Sequence, residues 1–165
     1  MKIHHVIDNF LDEKVFSDLK AIMFGDDIEW HWLNNMTGKD SYFLYHNFYS
    51  YSEPKSSYYH NFFPYILTKL NYLSVVNIRA NLMLKKEVVY KSEYHTDQQA
   101  ESCKTAILYM NNCNGYTNIK TDKLINKIDC KENRIVIFDS QLEHQAISQT
   151  DTERRIVINF NFFSK

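Results

Sequence analysis

Residues 154–162 read RRIVINFNF, and this run predicts the closing strand of a β-sheet with two unlike faces. Side chains alternate between the two sides of a strand. One side carries an aliphatic and aromatic row that suits a dry core between a sheet and helices: Ile156, Ile158, Phe160 and Phe162. The other side mixes a cation, an aliphatic group and amides, which suits a polar cleft: Arg155, Val157, Asn159 and Asn161.

Other short β-rich runs precede this strand and are separated by clusters such as NNCNGYTN and DCKENR. They cover residues 75–84, 103–110, 123–129 and 134–139. Short strands at this spacing predict a sandwich or a barrel. Further upstream, apolar residues at helical spacing predict helices over 12–24 and 61–73, and the aromatic segment 42–52 predicts a strand pair or an ordered flap. We therefore expect an α+β, mainly β protein, with an N-terminal helical layer packed on an all-β C-terminal half.

The composition limits the classes of protein that the chain can belong to. Of its 165 residues, 44% are apolar and 24% are charged, and the formal net charge is −1. These values predict one folded domain, and the even charge balance argues against stable nucleic-acid binding. No apolar run reaches the roughly 20 residues that span a bilayer, and the N-terminus has no apolar signal segment. With three cysteines and no CxxC spacing, we expect a cytoplasmic protein without a disulfide framework or membrane association.

A histidine and an aspartate stand two residues apart in Tyr94-His95-Thr96-Asp97. In a strand their side chains would face the same side and could bind one metal ion. Alone this pair is a weak signal, because a surface histidine beside an aspartate is common. A second histidine, His144, follows the strand at 134–139 and precedes the last strand. Two histidines and one carboxylate leave positions open on the metal, a ligand set typical of non-haem Fe(II) oxygenases.

A basic residue soon after His144 and a tyrosine extend the pattern. A keto-diacid that chelates iron at one end has a free carboxylate at the other, and a buried carboxylate needs a cationic partner. Tyr109, at the end of the strand 103–110, offers its hydroxyl to the same carboxylate. Arg154 and Arg155 both have a suitable position. Since Arg155 shares the polar face of the last strand, we assign it to the carboxylate and place Arg154 at the solvent-facing start of the strand.

In this order the motifs resemble the Fe(II)- and 2-oxoglutarate-dependent oxygenases, particularly the short prolyl-4-hydroxylase-like group common in phages and bacteria. The resemblance extends from about Asn77 to Phe163, roughly half of the chain. It depends on these stretches: His95-x-Asp97, TAILYMN with Tyr109, the turn NGYT at 114–117, NRIVIFDS at 133–140, His144 and RRIVINFNF. VIDNFL at 6–11 also resembles the opening of such proteins. Many relatives have Gly-Gly where this chain has Asn114-Gly115.

The resemblance implies a fold and a division of the chain. The fold is a double-stranded β-helix, a distorted and cupin-like jelly roll, with N-terminal supporting helices. A single oxygenase domain would cover residues 1–165. About 1–73 would form a helical support and lid region, and about 75–163 the double-stranded β-helix core.

The resemblance also implies cofactors and the residues that bind them. His95, Asp97 and His144 would hold Fe(II), and Tyr109 and Arg155 would bind the far carboxylate of 2-oxoglutarate. Ascorbate or another reductant could serve as an auxiliary cofactor. In this family one oxygen atom enters succinate as 2-oxoglutarate loses CO2, and the other hydroxylates a C–H bond.

Several other residues have a functional and a structural interpretation of similar weight. Arg79 and Asn81 share one strand face and could line the cleft or form a salt-bridged strand end. Trp30 and Trp32 precede the aromatic segment, which could fold over the iron as a lid or belong to the core. Asp139 lies near His144, where capping a loop is the favoured role. The remaining histidines are expected not to bind metal: His4, His5, His31, His46 and His60.

The leading functional hypothesis is hydroxylation of a peptidyl residue, with proline first by resemblance and a peptide or protein as the partner. Oxidation of a small molecule or an alkylated nucleobase is the alternative within the same enzyme class. A jelly-roll module that binds sugar or protein without catalysis is a different class. Such a module has no need of two histidines and an aspartate at ligand spacing. The sequence specifies no oligomeric state.

Overall fold

The computed structural model describes residues 1–34 and 42–165 and is mainly β with two helices. The helices are α1 (Glu13–Phe24) and α2 (Tyr59–Lys69). The strands in the first half are β1 (Ile3–Ile7), β2 (His31–Asn34), β3 (Tyr42–Ser50), β4 (Glu53–Pro54) and β5 (Tyr72–Leu84). The others are β6 (Cys103–Tyr109), β7 (Tyr116–Lys120), β8 (Ile125–Asp129), β9 (Ile135–Asp139), β10 (His144–Ile147) and β11 (Arg154–Ser164). Within the described ranges, no helix combines the length and apolarity needed to cross a membrane.

The strands form two antiparallel sheets, as expected for the jelly roll that the resemblance implies. The large sheet has the order β1-β9-β6-β11-β5-β3-β2, with β4 paired to β3. The small sheet has the order β10-β7-β8, and the segment around residues 90–95 runs along β10. The predicted double-stranded β-helix fold is therefore confirmed.

The two faces of β11 separate two hydrophobic cores, as its alternating sequence predicts. Ile156, Ile158 and Phe160 are fully buried in the larger core, together with apolar side chains of both helices. Val157 faces the opposite way and packs in the smaller core between the two sheets. The helices therefore cover the outer face of the large sheet, and its inner face is left for the small sheet and the cleft.

The second helix ends earlier than the sequence predicts. Its last residue is Lys69, whereas the apolar spacing extends the prediction to residue 73. Asn71 follows with a φ of 52°, a left-handed conformation that commonly ends helices at glycine or asparagine. Leu73 then belongs to β5 and is largely exposed, so its fit to the helical pattern is coincidental.

The N-terminal part of the chain contributes strands as well as helices. β3, from the aromatic segment, pairs with β5 inside the large sheet, and β1 pairs with β9. Asn133 fixes the entry to α1, because its side chain accepts from the Leu11 amide and donates to the Leu11 carbonyl. The described residues of the range 1–73 thus support the sheet by extending it and by covering it.

A polar cluster joins β1, β9 and β6. Asp139 accepts hydrogen bonds from Lys104 at 2.6 Å and from the Lys2 amide at 2.7 Å, and it lies 2.7 Å from the His4 ring. Burial alone would raise the pKa of Asp139, but the bonds from Lys104, His4 and Lys2 hold it well below its usual range. Asp139 therefore stabilises the pairing of the N-terminal strand with β9. This contact is more extensive than the loop cap expected from the sequence.

We expect Asp139→Asn to destabilise the protein by about 2 kcal/mol at neutral pH, because charged hydrogen bonds are lost. A carboxyl whose pKa is lowered by folding adds stability above its unfolded pKa of about 4 and loses it as the pH falls towards the native value. The difference between wild type and variant should thus shrink from about pH 5 downwards. Urea unfolding across this range measures it, and a difference that does not depend on pH would contradict the assignment.

Candidate metal and cosubstrate site

The three predicted metal ligands converge at one end of the small sheet. His95 and His144 form an antiparallel bridge, with backbone hydrogen bonds in both directions at 3.1 and 2.8 Å. The Asp97 amide then donates to the Ser140 carbonyl at 3.3 Å, which brings its side chain to the same place. One potential ligand atom from each of the three residues lies within 4.8 Å of the others. Residues 49 positions apart in sequence thus form one cluster.

The two oxygens of the Asp97 carboxylate have different surroundings. Oδ2 accepts three hydrogen bonds, each 3.0 Å long, from Thr105 Oγ1, Asn159 Nδ2 and Asn161 Nδ2. Oδ1 faces the histidines, at 3.6 Å from His144 Nε2 and 3.9 Å from His95 Nε2. Side chains of β6 and β11 therefore saturate one oxygen and leave the other directed at the two rings.

The histidines are oriented so that both Nε2 atoms face Asp97. His95 Nδ1 lies 3.3 Å from the Glu93 carbonyl, and His144 Nδ1 lies 3.2 Å from the Leu142 carbonyl. A carbonyl only accepts, so each Nδ1 carries a proton, and in the neutral ring Nε2 then has the lone pair that a metal ion needs. Burial and the nearby His144 lower the pKa of His95, which favours the neutral form of its ring. Burial would raise the pKa of Asp97, but His144 and the two asparagine amides hold it below its usual value.

This donor set fits a divalent cation of the first transition row. Two imidazole nitrogens and one carboxylate oxygen on one side leave the opposite side free for other ligands. The backbone carbonyls behind both rings have the supporting role that usually accompanies metal-binding histidines. The three atoms thus form the 2-His-1-carboxylate arrangement that the sequence predicts.

A cavity of about 260 Å³ lies between the two sheets, and the triad forms part of its wall. Arg155 lines the cavity at a distance from the triad and is only 2% exposed. Its Nη2 donates to Thr117 Oγ1 at 3.2 Å and its Nη1 lies 3.2 Å from Met83 Sδ. Its buried Nε has no hydrogen-bond partner among the described residues. Buried polar atoms are normally paired, so this guanidinium is well suited to an anion in the cavity.

Arg154, the neighbouring candidate, lies on the other side of β11. Its guanidinium is 5.1 Å from the Phe24 ring, and Nη1 is 3.4 Å from the Phe24 carbonyl at the end of α1. It does not line the cavity. The structure thus places the two arginines on the faces that the alternation predicts.

Tyr109 is fully buried and is not among the residues that line the cavity. Its hydroxyl donates to Thr117 Oγ1 at 2.9 Å, and burial raises its pKa to about 12. Thr117 Oγ1 thus accepts from both Tyr109 and Arg155, which uses both of its lone pairs. Its own hydrogen remains available to an acceptor in the cavity. Thr117, which the sequence analysis did not single out, is the group that Tyr109 and Arg155 share.

Gly115 allows Arg155 to pack beside the turn that precedes β7. A Cβ at this position would lie 2.9 Å from the Ile147 carbonyl oxygen, 3.0 Å from Arg155 Cδ and 3.2 Å from the Gln149 nitrogen. Such approaches are too close for a side-chain carbon, so this glycine is required by space. The single glycine of this turn is therefore the residue that packs against Arg155.

We expect Gly115→Ala to lower stability by roughly 1–3 kcal/mol and to weaken 2-oxoglutarate binding, because the added methyl group displaces Arg155. Asn114→Ala is the matched control. It removes hydrogen bonds to Thr150 in the same turn without touching Arg155. Melting temperatures with and without 2-oxoglutarate separate the two effects. If the Gly115 variant were stabilised by 2-oxoglutarate as much as wild type, the packing argument would be wrong.

The residues with two interpretations are now placed. Arg79 and Asn81 line the cavity, and among the described residues no carboxylate lies within 4 Å of Arg79. From the aromatic segment, Tyr42 and Phe43 also line the cavity. Trp32 is 56% exposed and stacks on Tyr42 at 4.8 Å. Trp30 is partly buried and packs against the larger core.

The five other histidines stand apart from the triad. His4 belongs to the Asp139 cluster, and the buried His46 makes a 2.8 Å hydrogen bond to the Glu29 carbonyl. His31 and His60 pack against tyrosine rings. Among the described residues, the triad is the one group of three potential ligands that meets metal-site geometry.

The fold is shared by solved structures of 2-oxoglutarate–Fe(II) oxygenases. The chain superimposes on a prolyl hydroxylase from Trichoplax adhaerens in complex with a hypoxia inducible factor peptide, with a TM-score of 0.68 and 14% identity. That match covers 97% of this chain and 83% of the other. A prolyl-4-hydroxylase from Pseudomonas putida gives a TM-score of 0.65 and 14% identity, covering 98% and 92% of the two chains.

A third similar structure has a different chemistry. The epimerase SnoN, in complex with Fe3+, alpha ketoglutarate and nogalamycin RO, gives a TM-score of 0.66 at 10% identity, covering 96% of this chain and 78% of the other. No protein-family model matches the sequence, and no curated protein is similar to it. At these identities the structures establish the fold that the sequence analysis predicted.

Proposed function

We propose that this protein is an Fe(II)- and 2-oxoglutarate-dependent oxygenase that hydroxylates a C–H bond. One observation carries the proposal. Asp97 Oδ1 and two histidine Nε2 atoms converge on a cavity whose other end holds Arg155, a buried cation without a carboxylate partner among the described residues. A metal site and an anion site on one cavity wall are what a metal-chelating keto-diacid requires.

The residues of this chain have distinct tasks in such a reaction. His95, Asp97 and His144 would hold Fe(II), with Thr105 and the two cleft asparagines fixing the carboxylate. When bound, Fe(II) with 2-oxoglutarate and dioxygen supplies the oxidising chemistry, in which one oxygen atom enters succinate and the other the substrate.

At the other end of the cavity the task is to bind and orient the cosubstrate. Arg155 would neutralise its far carboxylate, and Thr117 would donate its free hydroxyl hydrogen to the same group. Tyr109 acts through Thr117, because its hydroxyl is committed to Thr117 Oγ1. Charged hydrogen bonds from an arginine would fix both the position and the orientation of that carboxylate.

For the substrate, we propose a peptidyl residue, with proline as the first candidate. The prolyl hydroxylase from Trichoplax adhaerens was crystallised with a peptide fragment, which supports this choice. A small molecule is the second candidate, supported by SnoN with its bound nogalamycin compound. We further propose that residues 1–165 form one oxygenase domain, since the matched structures align with 96–98% of the chain. Its compartment would be the cytoplasm.

The test is succinate release from 2-oxoglutarate by metal-free protein reloaded with Fe(II) and a reductant such as ascorbate. Proline peptides, free amino acids and alkylated nucleosides are compared as substrates. We expect turnover with Fe(II) and none with Zn(II) alone. Conversion of a substrate by the Zn(II) protein without succinate release would mean a hydrolytic reaction, and failure of the Fe(II) protein to bind 2-oxoglutarate would overturn the proposal.

A further inference from the structure

A second arginine of the cavity, Arg79, has no assigned partner. It lies on β5, four residues before Met83, which is the strand neighbour of Arg155. Four residues correspond to about 13 Å along a strand, so the backbones of the two arginines stand at opposite ends of the cavity wall. Across the β5–β11 pair Arg79 is the neighbour of Asn159, whose amide holds Asp97 Oδ2. Arg79 therefore lies at the metal end of the cavity.

Aromatic rings restrict the Arg79 side chain. The centres of the Phe43 and Tyr45 rings are 5.8 and 5.9 Å from its guanidinium carbon. Its buried Nε has no hydrogen-bond partner among the described residues. Nearby, Asn77 Oδ1 and Asn81 Oδ1 are also buried without a partner. A guanidinium restrained by aromatic rings, near amide oxygens that lack hydrogen-bond partners, is the lining expected of a polar ligand site.

The charge of the cavity indicates the sign of this ligand. Arg79, Asp97 and Arg155 are the charged side chains among the described residues that line it, leaving the histidines aside. A divalent metal ion, Asp97 and the chelating carboxylate of a dianionic cosubstrate sum to zero charge, and the far carboxylate of the cosubstrate offsets Arg155. One positive charge remains, at Arg79. An isolated charge in a cavity is costly, so an anion from another molecule is favoured beside it.

We propose that Arg79 binds a carboxylate of the substrate and that the protein oxidises a C–H bond close to that carboxylate. This inference rests on the proposed function and names its substrate class. The cavity, at about 260 Å³, is smaller than most sites for drug-sized ligands, and the cosubstrate fills part of it. It therefore admits a small acid such as a free amino acid, or only the acidic end of a larger chain.

The decisive measurement observes Arg79 directly. Protein loaded with diamagnetic Zn(II) and saturated with 2-oxoglutarate is titrated with sodium acetate, and the arginine Nε–H signals are followed by NMR. The Arg79 signal is identified by its loss in Arg79→Gln. We expect a saturable shift of this signal with acetate and none with acetamide or with sodium chloride at equal ionic strength. Arg154→Gln is the control, because Arg154 lies outside the cavity.

The other outcomes of the titration separate failure of this inference from failure of the proposed function. An Arg79 signal that does not respond to acetate means that Arg79 is not a carboxylate site. A signal that shifts on addition of 2-oxoglutarate and then ignores acetate means that Arg79 binds the cosubstrate. If 2-oxoglutarate fails to bind to the loaded protein, the proposed function fails. In that case a response to acetate alone would still support a carboxylate site.

Kinetics distinguish a free amino acid from the acidic side chain of a peptide as the source of the carboxylate. Succinate release is measured with free amino acids and their carboxamides, and with aspartate-containing peptides and their asparagine counterparts. We expect each effective acid to exceed its amide, and the preference to fall roughly 10–100-fold in Arg79→Gln, the loss of one charged hydrogen bond. Arg79→Lys should restore part of it while the 2-oxoglutarate KM stays unchanged. Amides that match their acids in wild type would overturn the inference.

Discussion

Replacing Asp97 by alanine is expected to weaken metal binding by more than about 100-fold and to abolish oxygenation. Loss of the groups behind metal ligands already costs roughly 10–100-fold in affinity, and Asp97 is the one anionic ligand of the triad. The variant also leaves Thr105, Asn159 and Asn161 without their shared acceptor, so some loss of stability accompanies it. Metal content after dialysis and succinate release measure the two main effects.

Asp97→Asn separates the metal effect from the stability effect. Three donors surround the Oδ2 position, so the amide oxygen should turn towards them and the NH2 group towards the histidines. An amide nitrogen there does not bind a metal ion, yet the hydrogen bonds to β6 and β11 survive. We expect near-normal folding with no metal. Asp139→Asn is the carboxylate control and should keep the metal. If Asp97→Asn kept its metal and Asp139→Asn lost it, the ligand assignment would be wrong.

The second large effect is expected from Arg155. Removing one partner of a buried charged pair costs about 3–5 kcal/mol, which is roughly a hundredfold or more in affinity. Arg155→Ala should therefore raise the 2-oxoglutarate concentration needed for half-maximal turnover by at least about 100-fold. Arg155→Lys should recover only part of this loss, because an ammonium group lacks the planar set of donors of a guanidinium. A titration of 2-oxoglutarate against succinate release measures all three proteins.

Arg154→Ala is the matched control for this experiment. Arg154 is the adjacent residue on the same strand, carries the same charge and points to Phe24 on the opposite face. Its removal should change the 2-oxoglutarate requirement by less than about twofold, since its partners are a carbonyl and an aromatic ring near the surface. The opposite ranking of the two variants would show that the cosubstrate does not use the inner face of β11.

The sequence predicted the parts of the site that strand alternation and motif spacing determine. The two faces of β11 follow directly from its alternating residues, and with them the positions of Arg155 and Arg154. The triad could be recognised because His95 and Asp97 form a metal-binding pair two residues apart, and because His144 stands between two predicted strands. Two short strands of the small sheet, β7 and β10, were not predicted, since YTNIK and HQAI are too short and polar for a periodic signal.

Other features depend on neighbours that are distant in sequence. Thr117 gains its importance only because Tyr109 and Arg155 meet at its hydroxyl, and no local pattern marks that meeting. The polar face of β11 could be predicted from the sequence. Its asparagines bind Asp97, however, only because the fold brings together residues that are 62 and 64 positions apart. The end of α2 was misplaced because Leu73 continues the helical spacing by chance, whereas the left-handed Asn71 ends the helix.

The surroundings of Asp97 have a thermodynamic consequence. One carboxylate oxygen is held by side chains of the large sheet, while His144 belongs to the small sheet, so an ion bound by both acts as a cross-link between the layers. Binding that depends on the assembled layers is coupled to their assembly, and free metal at about 100 times its Kd would add about 2.7 kcal/mol to the free energy of unfolding. Metal supply in the cell would then set how much of the chain stays folded as well as how much is active.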